Sequence, residues 1–140
     1  HASDKHKALS NLLLRNFYHK IAQYDNALEA HFDINWKYLS QYWEAEVPNY
    51  FPSLIYYNLG KYDVAIEGIK RSISELKTPK NQYWKISLNN NLGLYFEKAN
   101  EFDSALYYYN HALRILQENY VPSENLQASN YNFLENINFT

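Results

Sequence analysis

The sequence predicts an all-α chain: a stack of about three helix–turn–helix units followed by one further helix. Three observations carry this. Apolar residues recur at three- and four-residue steps over most of the chain, the spacing of a helix that buries one face. The motif aromatic–Asp–X–Ala occurs three times, as Tyr24-Asp25-Asn26-Ala27, Tyr62-Asp63-Val64-Ala65 and Phe102-Asp103-Ser104-Ala105. Three Gly and four Pro in 140 residues are too few for the tight turns of an all-β fold.

His1-Ala2-Ser3 reads as a purification-tag remnant, so a fragment of a longer chain is expected, with one domain over 4–140. Its units are placed at about 4–47, 48–80 and 81–121, and the extra helix at about 122–138. From Asp4 to Ala22, the residues Leu9, Leu12, Leu13, Phe17 and Ile21 mark the apolar face of a first helix. The motif at Tyr24 opens a second, whose face continues through Ala27, His31, Ile34, Tyr38 and Tyr42, so that it is expected to run to about Ala45.

Pro48 and Pro52 bracket a connection and the first turn of the next helix, where proline is tolerated. Phe51, Leu54, Ile55 and Tyr56 form a short helix that Gly60 ends. Tyr62 opens its partner, with Ile66, Ile69, Ile73 and Leu76 on the inner face. A linker at Lys77-Thr78-Pro79-Lys80-Asn81 leads to the third unit, Trp84 to Asn119. There one helix carries Asn89, Leu92, Gly93 and Phe96, breaks at Ala99-Asn100-Glu101, and is answered by Phe102, Ala105, Tyr109 and Ala112. Gly93 and Ala105 are small where two helices must approach, with Phe96, Phe102 and Tyr109 expected to fill the space around the crossing. Ser53 and Ser72 keep the positions of Gly93 and Ala112 small in the second unit. After Pro122, Leu126, Tyr131, Phe133 and Leu134 mark the last helix.

The third unit resembles the tetratricopeptide repeat (TPR) family: Leu92-Gly93, Phe96, Ala105, Tyr109 and Ala112 match its pattern, with Asn89 for the usual Trp and Gln117 for the closing Pro. The repeated Ala27, Ala65 and Ala105 lie 38 and 40 residues apart, longer than the usual repeat, and the excess is expected in extended second helices and linkers. The resemblance implies a right-handed α-solenoid whose first helices line a concave groove that binds protein or peptide. It places Asn16, His19 and Lys20 of the first unit in that groove. From the second unit come Tyr50, Leu54, Tyr57 and Asn58, and from the third Asn90, Leu94, Glu97 and Lys98. The mixed chemistry of this set does not favour a carboxylate clamp.

Thirteen basic and fifteen acidic residues are interspersed, giving a net charge of -2 without a basic stripe, so direct nucleic-acid binding is not expected. Tyr107-Tyr108-Tyr109 lacks the interleaved cations of a base-stacking platform. No run reaches the length of a membrane span. Cysteine is absent, which excludes thiolate chemistry and leaves periplasm and cytoplasm both open. The histidines show no metal-ligand spacing. Asp25, Asp63 and Asp103 recur at helix starts, where a carboxylate meets the positive end of the helix dipole, a structural role. No catalytic motif is present, and no catalytic residue, metal or cofactor is expected.

The Asn-rich Asn89-Asn90-Asn91-Leu92-Gly93 and the segment Phe102 to Leu113 are similar to the TPR regions of bacterial sensor histidine kinases and transcriptional regulators. That resemblance implies a non-catalytic, protein- or peptide-binding part of a larger signalling protein. The alternative is a structural scaffold that self-associates through its open ends or through a long second helix around Trp36 and Trp43.

Overall fold

The computed structural model describes residues 2–118. The last expected helix, at about 122–138, lies outside the described residues. Those residues form six α-helices and no strand: α1 (Ala2–Lys20), α2 (Tyr24–Phe32), α3 (Tyr50–Asn58), α4 (Tyr62–Glu75), α5 (Trp84–Lys98) and α6 (Phe102–Glu118). They pack in pairs, α1 with α2, α3 with α4 and α5 with α6, and the pairs join where α2 meets α3 and α4 meets α5.

One turn is built three times. The first helix of each pair ends on a residue in the left-handed region: Ala22 at φ 61°, Gly60 at 77° and Asn100 at 62°. The amides that follow, of Gln23, Lys61 and Glu101, donate back to the carbonyls of Tyr18, Tyr56 and Phe96 at 2.8, 2.8 and 2.9 Å. This is the Schellman closure, which satisfies carbonyls that the helix end leaves free. The aromatic–Asp–X–Ala motif then begins the second helix, and Asp25, Asp63 and Asp103 all stand in a first turn, where their charge meets the positive helix end.

The expected long second helix of the first unit does not form. α2 ends at Phe32, and the chain continues through two 3-10 turns, Trp36–Leu39 and Trp43–Glu46. Asn35 takes over locally, its side chain accepting the amide of Lys37, the competition with helical bonding that Asn offers. The apolar spacing through Ile34 and Tyr38 belongs to a folded strap: Ile34, Leu39 and Val47 are buried in it, Leu39 against Ala8 with Leu9 and Leu12 beside them. The extra residues of the first repeat therefore lie in the strap, not in a longer helix.

Most of the core belongs to the second and third pairs, with Ile66, Ile69, Leu88, Leu92, Tyr95 and Tyr109 among its buried members. A Cβ on Gly93 would stand 2.6 Å from the ring of Tyr109, so the small residue makes room for that ring as well as for the helix. In the second pair a Cβ on Gly68 would meet Ser53 Oγ, so the close approach there falls on a different glycine. One expectation fails on burial: Phe102 is exposed at its crossing. Leu13 and Phe17 of α1, and Ile21 just past its end, are exposed as well.

Candidate functional site

The first helices α1, α3 and α5 present equivalent faces, fixed by the register of Ala27, Ala65 and Ala105. Leu12, Tyr50 and Asn90 correspond, and so, seven residues later, do His19, Tyr57 and Glu97. Seven residues are two helical turns, about 10 Å along the same face. The surface therefore has an upstream and a downstream end, and the structure treats them differently.

The strap covers the upstream end. Leu39 and Trp36 pack with Leu12, and Trp43 leans on Tyr50 with ring centres 4.9 Å apart. The same Trp43 lies flat on Trp84 at the start of α5, 4.4 Å away with planes 10° apart. Glu46 anchors the strap to the next linker: its carboxylate accepts from Asn81 Nδ2 at 2.7 Å and from the amides of Thr78 and Lys77. Burial works to raise the pKa of Glu46, but these donors prevail and hold it at about 2. One segment of the first unit thus touches all three first helices, and Tyr50 is withdrawn from any open groove.

Beneath the strap lies a cluster that sequence reasoning missed. Arg15 is buried and makes a two-pronged pair with Glu44, Nη1 to Oε1 at 3.2 Å and Nη2 to Oε2 at 3.1 Å. Its guanidinium lies 4.1 Å above the Phe51 ring. His31 stacks on the Phe51 ring as well, ring centres 5.2 Å apart, and its Nε2 is 2.8 Å from the carbonyl of Pro48. A carbonyl only accepts, so Nε2 carries the proton and Nδ1 offers its lone pair to Arg15 Nη1 at 3.3 Å. Burial first, with Arg15 adding to it, lowers the pKa of His31 and keeps it neutral, against opposing contributions from Pro48 and Glu44. A signal was present: Arg15 stands twelve residues before Ala27, as Ser53 stands before Ala65 and Gly93 before Ala105. A long cation occupies the position that the other units keep small.

The downstream end is open. Asn58 Nδ2 donates to His19 Nε2 at 3.0 Å, tying α3 to α1, and His19 also meets the edge of Phe51. Burial, then Arg15, lowers the pKa of His19, in keeping with an accepting, neutral Nε2. Tyr57 stacks on Tyr95 at 4.4 Å and 15°, tying α3 to α5. Tyr95 is fully buried, and burial, then Tyr50 and Tyr57, drives its phenol far above the usual range. Lys20, Asn58 and Lys98 are exposed.

The remaining expected residues divide. Asn16 is exposed and its Oδ1 accepts from Arg15 Nε. Leu54 and Leu94 turn partly into the core. Glu97 accepts from Tyr109 Oη at 2.9 Å, a bond inside its own helix pair. Asn90 Oδ1 and Tyr95 Oη are buried with no hydrogen-bond partner among the described residues, although buried polar atoms are rarely left so. No group of three or more metal-ligating side chains occurs among the described residues, and none of their helices is long and apolar enough to cross a membrane. The search against protein-family models gives no match, and neither does that against curated proteins.

Proposed function

We propose that this chain is a TPR-like, right-handed solenoid that binds a protein or peptide without catalysis. In this reading it is the sensing or interaction part of a larger bacterial signalling or regulatory protein. The observation that carries the binding site is the band His19–Asn58–Tyr57–Tyr95, which joins α1, α3 and α5 through side chains alone. Flat tyrosine area contributes contact at low entropic cost, Asn58 offers polar groups to a peptide backbone, and Lys20 and Lys98, exposed on two of the helices that carry the band, add positive charge. The strap supports the same reading from the other side: its aromatic-rich 3-10 turns pack on the upstream end, with Trp43 on Tyr50 and Trp84. The site so defined is the downstream half of the groove first expected, with Tyr50 and Glu97 removed from it.

Peptides selected from a displayed random library against the purified chain, then measured by fluorescence anisotropy, test this. Tyr57→Ala with Asn58→Ala is expected to weaken binding at least tenfold, about 1.4 kcal/mol, measured well below an unfolding midpoint that itself falls because Tyr57 packs on Tyr95, with circular dichroism showing the variant folded. Unchanged affinity in that variant, or no selectable peptide at all, contradicts the proposal.

A further inference from the structure

The register that aligns the three pairs also shows how each pair docks on the one before it. Between the first and second pairs, Phe51 and Ile55 of α3 are buried with Ala27 of α2, and Tyr24 and Leu28 pack beside them. Two residues of the later first helix thus enter a receiver formed by the earlier second helix. At the next junction the position of Ile55 is held by Tyr95 and that of Leu28 by Ile66, and both are buried in one cluster.

Among the described residues both halves of this junction recur, unpaired, on the first and last helices. Leu13 and Phe17 lie 38 residues before Phe51 and Ile55 and hold their register on α1. They are 67% and 55% exposed, whereas Phe51 and Ile55 are 3% and 0%. Leu14, exposed on the same helix, corresponds to Pro52 and Leu92, both buried. On α6, Phe102 and Leu106 lie 78 residues after Tyr24 and Leu28 and are 62% and 59% exposed. Aromatic stands for aromatic and leucine for leucine. Ile21 is not part of this face, since its counterpart Leu59 is equally exposed within the stack.

We infer that the α1 face of Leu13, Leu14 and Phe17 docks on the α6 face of Phe102 and Leu106 of a second copy of this chain, head to tail, continuing the junction between its own pairs. Such a contact joins two different surfaces, so it propagates into open chains and does not stop at a symmetric dimer. It uses the ends of the stack and leaves the groove band free, and so it stands apart from the peptide-binding proposal.

Sedimentation velocity of the whole chain tests this with two double variants, Leu13→Glu/Phe17→Glu and Phe102→Glu/Leu106→Glu, whose fold is checked by circular dichroism and thermal melting. All four positions are exposed, so near-wild-type melting is expected. The wild-type mass is expected to rise past the dimer as concentration goes from micromolar towards millimolar. Each variant alone is expected to stay monomeric, and an equimolar mixture of the two to form a dimer and nothing larger, because one intact α1 face and one intact α6 face remain. A wild-type chain that stays monomeric throughout overturns the inference and leaves a preceding helix pair or a different protein as the cover of α1. Self-association of either variant alone, or a mixture that stays monomeric, overturns it equally.

Discussion

The first and third helix pairs turn alike and cross differently. Both close their turns with a left-handed residue and the same pair of back-bonds, yet at the crossing the third pair sets Gly93 against Tyr109, and the first sets Arg15 against His31. The third crossing is held by shape. The first is held by charge, and the charge is completed only by Glu44 from the strap. A helix pair therefore keeps its turn geometry while its crossing chemistry is exchanged, provided that another segment supplies the missing partner. In this chain the exchange binds the strap to α1.

The largest effect is expected from breaking the charged crossing. Glu44→Gln removes the partner of a buried guanidinium, and removing one member of a buried pair costs about 3–5 kcal/mol; Glu44 keeps some exposure, so a loss at the lower end is expected in the urea midpoint. Replacing both members, Arg15→Met with Glu44→Leu, leaves no orphaned charge and is expected to cost less than Glu44→Gln alone. Equal or greater loss in the double variant would show that the pair is not what holds the strap.

Gly93→Ala probes the other crossing. Its new methyl meets the Tyr109 ring at 2.6 Å, and overpacking of this kind costs about 1–3 kcal/mol. Tyr109→Leu in the same chain is expected to recover part of the loss. A full-strength fold in Gly93→Ala would mean that the ring has room to retreat.

A third contrast is pH. His31 has a folded pKa below its unfolded value near 6.5, so the unfolded chain binds the extra proton. The contribution of His31 is therefore fully present above about 6.5 and lost as pH falls from there through its folded pKa. His19 and His111 are shifted in the same direction, so the informative quantity is the difference between wild type and His31→Gln. The variant is expected to lose less stability between neutral and mildly acidic pH. Parallel curves would contradict the neutral, lone-pair-donating His31.

The smallest effect lies in the shared turn. Ala22 adopts φ 61° with a side chain that disfavours it, a strain of about 1–2 kcal/mol, so Ala22→Gly is expected to raise the melting temperature slightly. Asn100→Gly is expected to gain less, because Asn tolerates this region.

What the sequence disclosed follows from what repeats. The motif starts at Tyr24, Tyr62 and Phe102 mark real second helices, and the breaks at Gly60 and Asn100 mark real turns, because capping and packing chemistry is local and spaced regularly. The strap was hidden by a coincidence: Ile34 and Tyr38 continue the helical spacing of Ala27 and His31, and periodicity alone does not separate a helix from apolar anchors of a folded connection. Leu13 and Phe17 were correctly read as an apolar face, but one that the described residues leave uncovered. On α1, α3 and α5, the position of each residue was legible from register, whereas its availability was not. Nothing local to Tyr50 or Glu97 announces Trp43 or the Tyr109 hydroxyl, which reach them from other elements.

The most direct test of the proposed binding site is a two-dimensional NMR titration of the chain with a library-selected peptide. Shifts concentrated at the side-chain amide of Asn58, the ring of His19 and the backbone around Tyr57 and Lys98, with the indole signals of Trp43 and Trp84 unmoved, are the predicted result. Shifts centred on the two indoles, or on residues of α4 and α6 away from the first helices, would contradict the account.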